Sequence, residues 1–378
     1  MYKRQIIEHV SKEGHSLVIV DNNREKVEEL IERYDVMGVV GNGASLDIQE
    51  EAGVKSADLV IAVTPEDEIN ILASMVAKKL GASSTIARVR NPEYLRQTKL
   101  MQEELGLSMV VNPEQETADE IINMVNLPSL LKLEPFAKGK VNLVEILVEE
   151  NNPLIGETLI TMSKKIKTKV LICAIQRASH VIIPNGNFKI EQGDRLSITA
   201  NASSLVTFLK ELNLIKSPLK NIMIIGGGKI SYYLAKELSN KKYHIKLIEM
   251  NKNRAEEMAE ALPKVDVICG DGTDHDLLIE EGIEASDACI ALTNVDEENI
   301  IVSMYATRLK IKKVIAKIKR NSFLTMVNDL GIASIVSPKD IVASKIISYI
   351  RALSNKRGSN VLTLYLSLIH ISEPTRRS

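Results

Sequence analysis

The sequence predicts an α/β protein made of two tandem doubly wound parallel-sheet domains, each followed by a small α+β module, the last one incomplete. Three observations carry this. The segment GNGASLDIQEEAGVKSADLVIAVTPEDEIN (Gly41 to Asn70) lies without a gap on GDGTDHDLLIEEGIEASDACIALTNVDEEN (Gly270 to Asn299), with 12 of 30 positions identical. Within each copy, short β-branched runs alternate with stretches of helical spacing, the pattern of a parallel sheet covered on both faces. Between the copies lies a stretch with strand alternation and frequent turn signals.

The duplication extends from IARVRNPEY (Ile86 to Tyr94) onto IAKIKRNSF (Ile315 to Phe323), and from ELGLSMVVNP (Glu104 to Pro113) onto DLGIASIVSP (Asp329 to Pro338). A repeat this long exceeds any solenoid unit and reads as two copies of a whole domain. The expected organisation is a first Rossmann-like domain over 1–135, a small α+β module over 136–216, and a second Rossmann-like domain over 217–350. The start of a second small module follows over 351–366, and 367–378 reads as a non-native tail.

The first copy opens with a helix-like IIEHVSKEGH. It then places Asp21 after the strand SLVIV, Gly41-Asn42-Gly43 after the next, Thr64 after LVIAV and Arg88 in IARVR. The opening strand and glycine-rich loop of the second copy have no counterpart here, so both are expected upstream of Met1 and the first site is expected to be damaged. The middle module shows strand patterns in NLVEILVEE, KVLICAIQRA and DRLSITA, turns at Asn152-Pro153, Pro184-Asn185-Gly186 and Gln192-Gly193-Asp194, a closing helix SSLVTFLKEL, and a linker at Ser217-Pro218. In the second copy, Ile222 to Ile225, Ile245 to Ile248, Val265 to Ile268, Ala288 to Leu292 and Val314 to Ile318 read as buried strands. Tyr232 to Leu238 and Arg254 to Leu262 read as helices.

Composition removes several function classes. With 48 basic and 49 acidic residues, the chain has no global electrostatic reason to bind nucleic acid or an anionic membrane. Cys173, Cys269 and Cys289 are scattered, which excludes a disulfide framework and close metal pairs and fits a reducing, cytoplasmic setting. No apolar run approaches the roughly 18 to 20 residues that span a bilayer, so any membrane role is expected to be peripheral.

The most informative segment is NIMIIGGGKISYYLAKEL, Asn221 to Leu238. A strand runs into Gly226, Gly227 and Gly228, and a helix begins at Lys229 and Ile230. Gly226 suits the tight turn, and Gly228 lets backbone amides approach a pyrophosphate on the positive end of the helix. Ser231 stands where the fingerprint has its third glycine, a departure expected to weaken binding. Glu249 follows the next strand, 21 residues after Gly228, where a carboxylate accepts the ribose hydroxyls and repels a 2′-phosphate. NAD(H) or adenine nucleotides are therefore expected in preference to NADP(H).

Other residues leave alternatives open. Arg254 suits a phosphate contact or an exposed ion pair. Gly270-Asp271-Gly272-Thr273 is a ligand loop or a turn needing positive φ. Thr293 suits a ribose or phosphate contact, and Lys317 is either a ligand cation or a strand residue with its amine in solvent. Of the six histidines, none sits in a catalytic string, and His275 reads as a helix start. An NAD-dependent oxidoreductase with an unidentified substrate stays as the alternative, but GxSxG, HExxH and Walker-type strings are missing. A scaffold that has lost its ligand is the third reading.

Taken together, GGGKIS, Glu249, GDGTD, ALTNVDEEN and AKIKR, with NNPLIGETL and IIPNGNFKIEQGDRL in the small module, resemble the tandem RCK family (KTN/TrkA-N plus TrkA-C) of regulatory subunits of bacterial Trk-type potassium uptake systems. The resemblance covers Ile6 to about Leu366. It implies a non-enzymatic, cytoplasmic, homo-oligomeric ring that binds NAD(H), and ATP or ADP, and regulates an integral-membrane potassium-translocating subunit of Trk/Ktr type. Carried over, the cofactor positions are Gly226, Gly227, Gly228, Lys229, Ile230, Ser231, Glu249, Thr293 and Lys317, with Asp21, Thr64 and Arg88 in the first copy. Ser231 and Lys317 depart from the family's Gly and Arg.

Overall fold

The computed structural model describes residues 2–126, 130–136, 141–150, 152–178, 180–212, 219–241, 243–320, 322–324, 327, 332 and 334–355. The expected Ser217-Pro218 linker, most of the second small module at 351–366 and the tail at 367–378 lie outside these. The chain forms two compact units, one of residues 1–117 and 337–359, the other of 118–336 and 360–378.

The first unit contains α1 (Tyr2–Lys12), β1 (Val18–Asp21), α2 (Arg24–Arg33), β2 (Met37–Val40), α3 (Leu46–Glu51), β3 (Leu59–Ala62), α4 (Asp67–Leu80), β4 (Ser84–Arg88), α5 (Pro92–Leu95), α6 (Thr98–Glu103) and β5 (Met109–Val111), then the start of α7 (Pro113–Asn126). All strand pairs are parallel, but they form two separate sheets, β1-β2 and β3-β4-β5. Parallel strands need crossover helices, and α2 and α4 supply them.

The second unit holds the small module and the second copy. The module consists of β6 (Leu130–Phe136), β7 (Val141–Leu147), α8 (Leu159–Lys165), β8 (Leu171–Arg177), β9 (His180–Ile182), β10 (Arg195–Ala200) and α9 (Ala202–Glu211). Its antiparallel sheet runs β6-β7-β10-β8-β9, so its first strand begins at Leu130, ahead of the expected start at 136. Asn126, Pro128 and Ser129 stand directly before β6 in the sequence, so the earlier start did have a local turn signal. Alternating Val144, Ile146, Leu196 and Ile198 bury against Phe208 of α9, the half-covered pattern of an antiparallel sheet. Burial, the largest single influence on Asp194, raises its carboxyl pKa, but the Arg177 fork at 2.7 and 2.8 Å and the Glu191 amide at 2.9 Å together hold it below the usual range.

The second copy comprises β11 (Asn221–Ile225), α10 (Lys229–Ser239), β12 (His244–Glu249), α11 (Lys252–Ala261), β13 (Asp266–Cys269), α12 (His275–Glu280), β14 (Ala288–Ala291), α13 (Asp296–Arg308), β15 (Lys313–Lys317) and β16 (Ser334–Val336). Its six strands form one parallel sheet in the order β13-β12-β11-β14-β15-β16. The topology switches at β11, which pairs with both β12 and β14, and ligands of such sheets bind at the carboxyl ends there. In the first copy no described strand plays the part of β11.

The last helix, α14 (Pro338–Asn355), groups with the first unit instead of the second copy to which 217–350 assigned its first thirteen residues. Val342, Ala343, Ile346, Ile347 and Ile350 form one helical stripe, and this stripe is buried with Ile6, Val10, Ile86 and Val111.

Candidate functional site

The site is built at the carboxyl end of β11. Gly226 turns the chain with φ of +96°, a conformation that an L side chain resists, and a Cβ placed there would lie 3.0 Å from the backbone N and Cα of Thr293. Glycine is therefore required twice, for its dihedral and for room. The buried Ser231 hydroxyl donates to the Gly226 carbonyl and braces the turn from within α10. This serine closes the loop from behind, a function a third glycine has no atoms to perform.

Gly228 is the N-cap of α10, with no side chain capping the helix and only open space where its Cβ would sit. Lys229 follows on the exposed side, and Ile230 turns inward to anchor the first turn. Such an uncapped N-terminus presents amides and the positive end of the helix dipole to an anion. A pyrophosphate fits this arrangement.

Glu249 ends β12 beside the turn. Its Oε2 accepts the Gly227 amide at 2.5 Å and its Oε1 accepts the Asn251 amide at 2.8 Å. Each carboxylate oxygen has a second lone pair, so ribose hydroxyls can still be accepted. Arg254 also belongs to the site: its Nε donates to the Gly227 carbonyl at 2.7 Å while Nη1 bonds Glu257 at 2.8 Å. The ion-pair reading of Arg254 is the one the structure displays, and its Nε is bonded to the carbonyl of the glycine turn.

The Gly270–Thr273 loop follows β13 on the same edge. The segment is a turn, closed by the Asp274 amide on the Asp271 carbonyl at 3.1 Å, but neither of its glycines has the expected positive φ. A Cβ at Gly272 would overlap the Ile225 side chain, so close packing on β11 is what demands glycine there. Asp271 accepts the amide and then the hydroxyl of Thr273, and both hold its carboxyl below the usual range.

Thr293, half-buried after β14, meets the turn through Gly226, and its own amide donates to Asn299 at 2.8 Å. Lys317 corrects the expectation of a solvated amine. The residue is 5% exposed, and its Nζ donates to the Leu292 carbonyl at 2.8 Å. It braces the strand end that carries Thr293, because a buried ammonium must find acceptors.

The first copy repeats part of this. Arg88 Nη2 donates to the Thr64 carbonyl at 2.5 Å, and Thr64 bonds Asn70 as Thr293 bonds Asn299. Asp21 accepts the Asn23 amide, as Glu249 accepts that of Asn251. Asp21 nevertheless sits in one sheet, and Thr64 and Arg88 in or beside the other.

Asn299, Asn70, Asp296 and Asp67 were not singled out by the sequence reasoning, although both acids and both amides recur at matching positions of the two copies. His275 starts α12 and stacks on Tyr305 at 4.1 Å. Among the described residues there is no acid, histidine or cysteine cluster able to hold a metal, and no helix long and apolar enough to cross a membrane.

The TrkA-N domain family matches residues 4–113 and 222–338, and the TrkA-C domain family matches 143–213. The Trk system potassium uptake protein TrkA of Vibrio alginolyticus is 35% identical over 352 residues, 92% of this chain and 76% of that protein. A TrkA homolog of Archaeoglobus fulgidus is 31% identical over 341 residues, 90% of this chain and 77% of that protein. The chain thus spans about three quarters of the length of these relatives. Among solved structures, the GsuK channel bound to NAD superposes with a TM-score of 0.69 at 20% identity, covering 94% of this chain and 62% of that one, which establishes the shared fold. Two TrkA-N domains flanking a TrkA-C domain, with this identity over most of the chain, make it a member of the Trk system potassium uptake protein TrkA family.

Proposed function

We propose that the chain is a nucleotide-binding regulatory subunit of a potassium uptake system. It takes NAD(H), or ATP and ADP, at the carboxyl edge of β11, and it acts from the cytoplasmic side on an integral-membrane potassium-translocating partner. It works as part of a homo-oligomeric ring and turns over no substrate. Gly226 to Ser231 with Glu249, Thr293 and Lys317 form the site in the second copy, and Asp21, Thr64 and Arg88 are the corresponding positions in the first. The domain scheme of two nucleotide folds with small modules after them is part of the same proposal.

The observation that carries the reading is the uncapped α10 N-terminus at Gly228, open to solvent, with the Glu249 carboxylate one hydrogen bond from Gly227. That pairing offers amides to a diphosphate and a carboxylate to the neighbouring sugar. The GsuK channel, which shares the fold, has been solved bound to NAD.

Regulation requires only that the ligand bind two packings of the assembly unequally, with a coupling of about 1 to 3 kcal/mol. Potassium flux through the reconstituted complete complex, with and without NADH, NAD and ATP, is the test. Flux that differs between nucleotides supports the reading, and identical flux under all conditions removes it.

A further inference from the structure

Asn299 is fully buried in α13 and uses its whole amide. Its Oδ1 accepts the Thr293 amide at 2.8 Å, and its Nδ2 donates to the carbonyls of Thr293 at 3.2 Å and Lys317 at 2.9 Å. The side chain therefore pairs with Thr293 as a neighbouring strand would and ties it to the last residue of β15. One turn earlier on the same helix, Asp296 is 3% exposed, and its Oδ2 accepts the amides of Lys319 at 3.0 Å and Arg320 at 2.9 Å. Thr293 is also the residue against which Gly226 turns. These contacts run without a break from the glycine turn to the Lys319–Arg320 turn.

The first copy contains the same set. Asn70 is fully buried, accepts the Thr64 amide at 2.7 Å, and donates to the carbonyls of Thr64 at 3.1 Å and Arg88 at 3.0 Å. Asp67 accepts the amides of Arg90 and Asn91, both at 2.7 Å. Between these two anchors the helices differ, Ile69 standing opposite Glu298, and before them Pro65 and Glu66 stand opposite Asn294 and Val295. The acid and the amide kept their bonds while the residues around them changed. In both copies the tethered turn stands on the way out: the chain goes on from Arg320 to β16 and then α14, which belongs to the first unit, and from Asn91 to α7, in which the second unit begins.

We infer that Asn299 is a positioning residue that carries nucleotide occupancy from the Gly226–Thr293 contact to the Lys319–Arg320 turn. The inference rests on the proposed nucleotide site. A ligand on the glycine turn narrows the motion of the Thr293 backbone. Asn299 is bonded to that backbone and to the Lys317 carbonyl, so the restriction reaches the turn beyond β15. This coupling requires no change of shape, only a loss of motion that two sites share. A buried amide bonding three backbone groups transmits it because each bond lost leaves a polar group unpaired away from water.

Amide hydrogen exchange across 317–324 of the full chain tests this, with NADH binding measured in parallel by calorimetry. In the unaltered chain, saturating NADH slows exchange at Lys319 and Arg320 about fivefold or more, within the usual range of site coupling. Asn299→Asp keeps an acceptor for the Thr293 amide and sets oxygens against the Thr293 and Lys317 carbonyls. Asn299→Ala removes all three bonds and serves if the aspartate variant does not fold. Either variant is expected to bind NADH within about threefold of the original and to show no NADH-dependent slowing at Lys319 and Arg320. Three results overturn the inference: slowing retained in a folded variant, loss of affinity and melting temperature together with slowing, or no slowing in the unaltered chain despite bound NADH. A calorimetric trace with no binding instead removes the nucleotide site itself, and the inference with it.

Discussion

The amide of Gly227 donates to the carboxylate of Glu249 at 2.5 Å, which makes the glycine turn and the end of β12 a single hydrogen-bonded unit. Replacing Glu249 by Gln removes the charge from that bond and from the sugar subsite. Bonds to a charged group contribute about 1.5 to 3 kcal/mol. NADH affinity is therefore expected to fall about tenfold or more, while discrimination against NADPH narrows. Titration calorimetry of the variant with both nucleotides checks this.

Gly226 and Gly228 make opposite predictions for the same methyl group. At Gly226, alanine meets a positive φ and the Thr293 backbone, so Gly226→Ala is expected to lose about 1 to 2 kcal/mol of stability together with nucleotide binding. At Gly228 the φ is −70° and the methyl meets open space, so Gly228→Ala keeps its melting temperature and loses affinity alone. Thermal denaturation beside NADH titration separates the two. Equal loss of stability at both positions would contradict this account of the turn.

Ser231→Ala leaves the Gly226 carbonyl without the hydroxyl that braces it. The expected cost is about 1 kcal/mol, read as a lower urea midpoint at unchanged slope.

Asp287 lies at the start of β14, at the opposite end of the sheet from the site. It accepts the Lys220 and Asn221 amides at 2.8 and 3.0 Å and the Lys312 ammonium at 2.6 Å. The Lys312 bond is the largest influence. It outweighs burial, and with the two amides it brings the carboxyl from 3.8 to about 2. The unfolded chain binds this proton more readily, so the ionised carboxylate stabilises the fold fully above about pH 4, and that contribution is lost as the pH falls toward 2. Urea midpoints measured across this range should drop for the unaltered chain and drop less for Asp287→Asn.

Much of the site could be read from short spacings. The run from β11 through three glycines into a helix, and the carboxylate ending the next strand, are local patterns with a chemical meaning wherever they occur. Asn299 and Asp296 were less legible because their partners, Lys317, Lys319 and Arg320, lie 18 to 24 residues away and become neighbours only when β15 takes its place. The one available clue was their recurrence as Asp67 and Asn70. Lys317 shows a limit of another kind: its position in a strand was plain, but alternation along a strand does not say what lies beneath an ammonium that the sheet buries.

By itself, the sequence determined the duplication, the parallel-sheet class of both copies and the identity of the turn and its carboxylate, because periodicity and glycine spacing act within a few residues of one another. Only the tertiary structure decided that the first copy's strands form two sheets, that α14 packs with the first unit, and that Lys317 faces inward. An apolar stripe shows that a helix must bury a face, but which surface covers it depends on the free energy of the whole assembly of elements, and that is settled by shape and reach between residues far apart in the chain.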